Sequence, residues 1–199
     1  HPERTTELWR AEARRAGIGE IFIARVESFV AGVDPRQAGF DAGVEFAPDW
    51  RNLADPLFRQ KFHRWLMKVG VLSDVYLKQE ITNYEGLVAR MLAKPFPNYP
   101  FFRCVTPGFD NSPRRSQGAA IVVGATPEKY QAWLAVMARR TRVKYSGDER
   151  MVFINAWNEW AEGNHLEPDQ KHGRAFLEAT KGALHAASLD VEVEFSLPA

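Results

Sequence analysis

The sequence alternates between short apolar runs and longer amphipathic stretches, and this alternation limits the folds open to the chain. Apolar residues at helical spacing predict helices over residues 3–16, 56–69, 82–93, 127–142 and 172–187. Apolar runs predict strands over residues 21–26, 71–77, 101–106 and 151–154. Each connection between strands is long enough to contain a helix, which favours parallel strands. The predicted fold class is therefore α/β, with parallel strands alternating with helices.

The composition is that of a globular protein with its own core. The chain has 199 residues, of which 45% are hydrophobic, and its 26 Lys and Arg residues nearly balance 25 Asp and Glu residues. A net charge of +1 gives no reason to expect nucleic acid or an anionic membrane as a partner. No stretch approaches the ~20 apolar residues of a membrane span. No Gly, Ser or Pro linker divides the chain, so we expect one domain over residues 1–199.

The single cysteine, Cys104, cannot form a disulfide within the chain. Its neighbours Arg103 and Val105 belong to a predicted strand, which indicates a packed core thiol rather than a nucleophile. The chain begins His-Pro-Glu and shows no apolar signal segment, so we expect a cytoplasmic rather than a secreted location.

Polar clusters follow the predicted strands, where ligand sites of parallel α/β folds lie. Residues 155–163 (Asn-Ala-Trp-Asn-Glu-Trp-Ala-Glu-Gly) follow the strand at 151–154 and place Glu159 and Glu162 among tryptophans. Cleavage of a glycosidic bond needs one carboxyl that carries a proton and a second that acts as base or nucleophile. We therefore predict Glu159 and Glu162 as catalytic residues. The candidate substrate-binding residues are Trp157, Asn158, Trp160, Glu167, Asp110, Arg114 and Asp41.

Other interpretations of these residues remain open. Glu159 and Glu162 can instead charge the start of a helix, with both tryptophans in the core. Asp110 can form a local turn, and Arg114 can pair with a neighbouring acid. A metal site would use Glu159, Glu162, His165 and Glu167, but the spacing of strong metal motifs is missing, so neither a metal nor a cofactor is predicted. A protein that binds a glycan without catalysis is also consistent with the pattern.

Several motifs occur in the order seen in one known family. They are residues 39–42 with Glu45, Phe46 and Pro48 nearby, residues 83–85, residues 107–115, residues 155–163 and residues 166–169. Through them the chain resembles the WbsX-type, glycoside hydrolase family 99-like proteins over nearly its whole length. The resemblance implies a (β/α)8 barrel that acts on α-linked sugars of a polysaccharide or oligosaccharide, by hydrolysis or by transfer in surface polysaccharide or lipopolysaccharide O-antigen biosynthesis.

The resemblance also implies roles for the two carboxylates. In the related endo-α-mannosidases, an Asn-Glu-Trp-x-Glu-Gly motif carries both catalytic groups. Glu159 resembles the residue that deprotonates the sugar 2-hydroxyl, and Glu162 resembles the general acid/base. The chain departs from those enzymes at Ala161, where they typically have His, and this leaves open the substrate and the choice between hydrolysis and transfer.

The length of the chain bears on the implied barrel. A (β/α)8 barrel typically takes about 250 residues, whereas the sequence shows about four strand-helix units. We therefore expect the C-terminal portion of an N-terminally truncated barrel, with an unpaired edge on its leading strand. The oligomeric state is left open.

Overall fold

The computed structural model describes residues 1–27, 32–58 and 60–189 and has an α/β structure. Its helices are α1 (Pro2–Arg15), α2 (Lys61–Lys68), α3 (Val75–Lys78), α4 (Tyr84–Ala93), α5 (Pro127–Lys144) and α6 (Ala175–Ser188). Its strands are β1 (Ala24–Glu27), β2 (Ala42–Glu45), β3 (Glu80–Asn83), β4 (Phe101–Phe102), β5 (Cys104–Val105), β6 (Phe109–Asp110), β7 (Ala120–Val123), β8 (Phe153–Ile154), β9 (Asn158–Glu159) and β10 (Asn164–His165). No helix in these ranges is long and apolar enough to cross a membrane.

Parallel strands dominate, as predicted. β1, β2 and β4 form one parallel sheet, and β5 pairs in parallel with β8. Only Arg103 separates β4 from β5, so this segment contacts β2 through its first half and β8 through its second. Helix α4 precedes β4, α5 lies between β5 and β8, and α6 follows β8. The carboxyl ends of β2, β5 and β8 therefore face the same way.

The (β/α)8 expectation is supported only as far as this alternation of helices and parallel strands. The strands in the described ranges do not close into a barrel. Within those ranges β1 pairs with β2 alone, as expected of the leading strand. Of the strand predicted over residues 21–26, the structure forms Ala24–Glu27, and Val26 within it is exposed.

A second three-stranded sheet lies in the connections that follow β2 and β5. β3 runs parallel to β7, and β6 pairs antiparallel with β7. β3 leads directly into α4, and β7 ends a few residues before α5. The sequence interpretation missed this sheet, although the apolar run over residues 119–123 signals its central strand. The two connections are thus hydrogen-bonded to each other above the parallel strands.

Two predictions between β2 and β3 are wrong. Residues 71–77 form no strand and contain the start of the short helix α3. The helix predicted over residues 56–69 shortens to α2, none of whose residues is buried, while residue 59 lies outside the described part. Phe62 and Trp65 are exposed, because no described element covers the apolar face of α2.

Helices α4, α5 and α6 cover the core. Tyr84 and Trp133 are fully buried and meet edge to face, with 6.0 Å between ring centroids. Thr126 caps α5 by accepting a hydrogen bond from the backbone N–H of Lys129. Where α5 packs on α6, a Cβ at Gly182 would come within 2.9 Å of the end of the Gln131 side chain, which would have to shift. Predictions for α1, α4, α5 and α6 are confirmed within a few residues.

Cys104 is a packed core thiol, as predicted. It lies in β5 and is almost completely buried. Burial, with a smaller effect from the nearby Glu45 carboxylate, raises the pKa of the thiol to about 12. The thiol is therefore protonated at neutral pH and is a poor nucleophile.

A buried ionic network joins β2, α4 and the β4–β5 segment. Arg103 is 1% exposed, and its Nε lies 2.9 Å from a carboxylate oxygen of Glu45. The same guanidinium donates to the carbonyl oxygens of Met91 and Lys94 at the end of α4. The Lys94 ammonium lies 2.7 Å from Glu45 and 2.6 Å from Asp49. Each buried charge therefore has an opposite charge in contact, as low-dielectric surroundings require.

Replacing Arg103 with Met should destabilise the fold strongly. The change leaves the buried Glu45 carboxylate with one cation in place of two and leaves two helix carbonyls unpaired. We expect a loss of about 3 kcal/mol or more in the free energy of unfolding, measured by urea denaturation. The matched control is Arg15→Met, which breaks an exposed pair with Glu12 and should cost less than about 1 kcal/mol. Equal losses in the two variants would contradict the role given to Arg103.

The network also predicts a dependence of stability on pH. Burial acts to raise the pKa of Asp49, but hydrogen bonds from Lys94 and Arg51 outweigh it and lower the pKa to about 2. An unfolded Asp titrates near 3.9, so the contribution is present above that pH and disappears as the pH falls through about 2. The stability difference between the wild type and Asp49→Asn should shrink by about 2 kcal/mol between pH 6 and pH 2. Parallel pH profiles of the two proteins would refute this.

Candidate active site

The segment after β8 forms a small hairpin beyond the carboxyl ends of the parallel strands. β9 and β10 pair antiparallel, with Glu159 opposite Asn164, and the turn Trp160–Glu162 joins them. Gly163 closes this turn with a φ of +54°, in the left-handed region. A Cβ there would also come within 3.2 Å of the Asp110 side chain, so the hairpin packs on β6 at a point that only glycine fits.

Buried polar contacts fix the hairpin to the strands below it. Asn164 is fully buried, and its Oδ1 accepts a hydrogen bond from the Thr106 hydroxyl at 2.7 Å. The Asn155 side chain donates to the carbonyl oxygen of Ala47, in the segment that follows β2. Sequence reasoning missed these positioning residues, whose only signal is that polar side chains follow apolar strands. The hairpin is therefore attached to the segments that follow both β2 and β5.

Arg114 bridges the two predicted catalytic carboxylates. Its guanidinium lies 2.7 Å from Glu159 Oε1 and 3.0 Å from Glu162 Oε1. Contact with one guanidinium limits these two oxygens to less than about 8 Å apart, below the upper end of the roughly 5–9.5 Å found between glycosidase carboxyls. The pairing of Arg114 with neighbouring acids, one of the open alternatives, is thus present in the structure.

A short connection after β6 places Arg114. Asp110 Oδ1 accepts a hydrogen bond from the backbone N–H of Ser112 at 2.8 Å, which forms the local turn considered for Asp110. Asn111 Oδ1 accepts from the backbone N–H of Ala120 and so fastens the connection to β7. The turn Ser112–Arg114 follows, and it carries the guanidinium to the hairpin. The second sheet therefore positions the cation between the two carboxylates.

The tryptophans of the hairpin are not core residues. Trp157 is 53% exposed and Trp160 is 48% exposed. Glu159 precedes a 3-10 turn and Glu162 ends it, so neither lies at the start of an α-helix. The alternative that assigned these four residues to a helix start and its core is therefore wrong. Asn158 is exposed beside Glu159 in β9.

Trp160 is held in one orientation. Its ring stacks on the His165 imidazole, with 3.7 Å between centroids and 19° between planes. Its indole N–H donates to Glu167 Oε2 at 2.6 Å. His165 Nε2 in turn lies 3.2 Å from the Asp169 carboxylate. Burial acts to raise the pKa of Asp169, but hydrogen bonds from the His172 backbone and from His165 hold the pKa below its ordinary value, which keeps this partner of His165 ionised.

Six of the predicted site residues lie together, and Asp41 lies apart from them. The structure brings Asp110, Arg114, Trp157, Asn158, Trp160 and Glu167 into the hairpin and the connection beside it. The four side chains of the metal alternative belong to no cluster of three or more potential ligands within the described ranges. Glu167 instead accepts a hydrogen bond from the Trp160 indole, and His165 contacts the Asp169 carboxylate.

Asp41 does not join the site. It directly precedes β2, so it lies at the amino ends of the parallel strands, opposite the hairpin. Its carboxylate lies 2.8 Å from Arg10 and accepts a hydrogen bond from the backbone N–H of Ile23. Asp41 connects α1, β1 and β2.

Comparison with known proteins agrees with the resemblance noted in the sequence. The chain matches the family model described as "Glycosyltransferase WbsX" over residues 1–180. It is 40% and 39% identical over 197 residues to two proteins described as "Uncharacterized protein WxcX", from Xanthomonas campestris pv. campestris strains B100 and ATCC 33913. These alignments cover 99% of this chain but only 27% of each relative. No solved structure gives a significant match. The chain therefore belongs to the WbsX glycosyltransferase family.

Proposed function

We propose that the protein transfers sugar residues in the assembly of a surface polysaccharide, with Glu159 and Glu162 as its catalytic carboxylates. The observation that carries this proposal is the bridging of both carboxylates by Arg114 beside the exposed, fixed ring of Trp160. The family description, a glycosyltransferase, supports transfer as the reaction. The pair lies beyond the carboxyl ends of parallel strands, where α/β folds bind their ligands.

The proposed reaction exchanges one C1–O bond for another. The acceptor hydroxyl oxygen bonds to C1 of the donor sugar, and the bond between C1 and the leaving oxygen breaks. One carboxylate takes the proton of the attacking hydroxyl, and the other carboxyl gives its proton to the leaving oxygen. The family resemblance assigns the general acid/base role to Glu162. It matches Glu159 to a residue that deprotonates the 2-hydroxyl of the donor sugar, and we extend that proton-accepting role to the acceptor hydroxyl.

Arg114 and Trp160 prepare the site for this chemistry. In the substrate-free site, Arg114 offsets the repulsion between two neighbouring carboxylates and fixes their separation. The pair is between one fifth and two fifths exposed, so a sugar hydroxyl can approach Glu159 directly. The indole of Trp160, fixed from one face by His165 and at its N–H by Glu167, offers a flat apolar surface for a sugar ring. Neither group needs a metal or cofactor to act.

Hydrolysis is the second candidate function. The Glu159 carboxylate is 39% exposed, so water can reach the attacking position as readily as a sugar hydroxyl. The resemblance to glycoside hydrolase family 99-like proteins supports the same roles for the two carboxylates. The two reactions differ only in the acceptor, so the products distinguish them: transfer lengthens the acceptor, whereas hydrolysis releases a reducing sugar.

Replacement of either glutamate by Gln should remove turnover with little change in the fold. We expect Glu162→Gln and Glu159→Gln to lower turnover at least about 100-fold, because an amide neither gives nor takes the required proton. Mass spectrometry of mannose- and rhamnose-containing oligosaccharides incubated with each variant measures the effect. Glu178→Gln, an exposed carboxylate on α6, is the control and should retain full activity. Full turnover by Glu162→Gln would rule out its assignment.

Loss of the Trp160 ring should weaken saccharide binding. We expect Trp160→Ala to raise the dissociation constant for an oligosaccharide substrate about tenfold, because the stacking surface disappears. Titration calorimetry measures the constant. Trp9→Ala is the matched control, since Trp9 is similarly exposed on α1, away from the hairpin. Equal affinities of the two variants would show that Trp160 is not a binding surface.

A further inference from the structure

A cavity adjoins the hairpin on the side of α6. Its volume is about 370 Å³, within the range of small-molecule sites. The side chains and backbone that matter most in its wall are those of Asp110, Gly163, His165, Asp169, Lys171 and His172. Gly163 directly follows Glu162 in the sequence, so this cavity, the hairpin pocket, begins one residue from the proposed catalytic pair.

The polar groups of the hairpin pocket have unused hydrogen-bonding capacity. Asp110 uses Oδ1 for the local turn, and its Oδ2 has no hydrogen-bond partner within the described ranges. The Lys171 side chain is exposed and forms no hydrogen bond or ion pair with any described residue, whereas its backbone N–H interacts with the Asp169 carboxylate. The ring of His172 contacts only the edge of Phe176, with 5.2 Å between centroids, among the ring contacts of the described part. The pocket thus offers both acceptors and donors to a ligand.

His165 adds a buried acceptor to this set. Its Nε2 lies beside the Asp169 carboxylate, which accepts a hydrogen bond from it in the tautomer that carries the proton on Nε2. Nδ1 is then an acceptor, and it is buried without a partner in the part of the chain that the structure describes. A buried polar atom without a partner costs free energy that a ligand donor would recover. His165 therefore contributes to the pocket as well as to the stack under Trp160.

This mixture of charges distinguishes between classes of ligand. An anion in the pocket would lie against Asp110 and Asp169, whereas a cation would lie against Lys171. A sugar hydroxyl donates one hydrogen bond and accepts others, so it suits a wall in which carboxylates and cationic donors face the same space. The aromatic ring of Phe176 in the wall adds an apolar contact of the kind that saccharide sites use.

We propose that the hairpin pocket, with Asp110, His165, Lys171 and His172 in its wall, binds an uncharged sugar ring of the substrate adjacent to the ring that reacts at Glu159 and Glu162. The proposal rests on the proposed function and deepens it, because it extends the site from one ring to two. It also explains why Gly163 stands between the catalytic turn and β6: a side chain there would project toward Asp110.

Nuclear magnetic resonance with a small probe tests the pocket. We expect methyl α-D-mannopyranoside to shift the backbone amide signals of Gly124, Gly163 and His172, which line it, whereas inorganic phosphate leaves them unchanged. Lys171→Ala should weaken binding of the mannoside about tenfold, because a charged donor is lost. Lys181→Ala, an exposed lysine on α6 outside the pocket, should bind as the wild type does. Equal binding by the two variants, or shifts caused by phosphate instead, would overturn the proposal.

A second variant separates this proposal from the proposed function. Glu162→Gln should bind the probe in the pocket like the wild type and lose turnover. If it binds the probe normally but keeps full turnover, the catalytic assignment fails and the pocket stands. If turnover is lost but the mannoside shifts no pocket amide in either protein, the pocket fails and the catalytic assignment stands.

Discussion

The buried contact between Arg103 and Glu45 is the constraint on which the rest of the structure depends. Arg103 interrupts one strand segment, so that β4 pairs with β2 and β5 pairs with β8. Its guanidinium, almost completely buried, also binds the last carbonyls of α4. A charge in that position is tolerated only with its partners in place. The hydrogen bonds of Arg103 to these carbonyl oxygens hold the end of α4 against the strands.

The site is assembled from connections that the parallel strands bring together. The carbonyl oxygen of Thr106, just beyond β5, accepts a hydrogen bond from the buried Tyr84 hydroxyl of α4. The Thr106 hydroxyl donates a hydrogen bond to Asn164 of the hairpin. The second sheet, through the pairing of β6 with β7, positions Arg114 beside the same hairpin. The two carboxylates come from a single turn, but their counter-ion and their support come from other elements. Membership of the WbsX family agrees with this arrangement of motifs.

Trp160 and His165 connect the two parts of the proposed binding surface. The Trp160 ring is about half exposed, and His165, which stacks on it, lines the hairpin pocket. Asp169 holds His165 through one ring nitrogen and leaves the other buried and unpartnered. A single stack of two rings thus connects the exposed Trp160 to the wall of the hairpin pocket.

The sequence by itself determined the α/β class, the helices α4, α5 and α6, and the pairing of Glu159 and Glu162 beside tryptophans, because these depend on local spacing. Only the tertiary structure decided that Arg114 bridges the carboxylates and that Asp41 lies at the opposite ends of the strands, since both depend on contacts between residues distant in sequence. It also decided which apolar faces are buried. The periodicity of α2 is helical, but burial requires a partner surface, and none of the described elements supplies one.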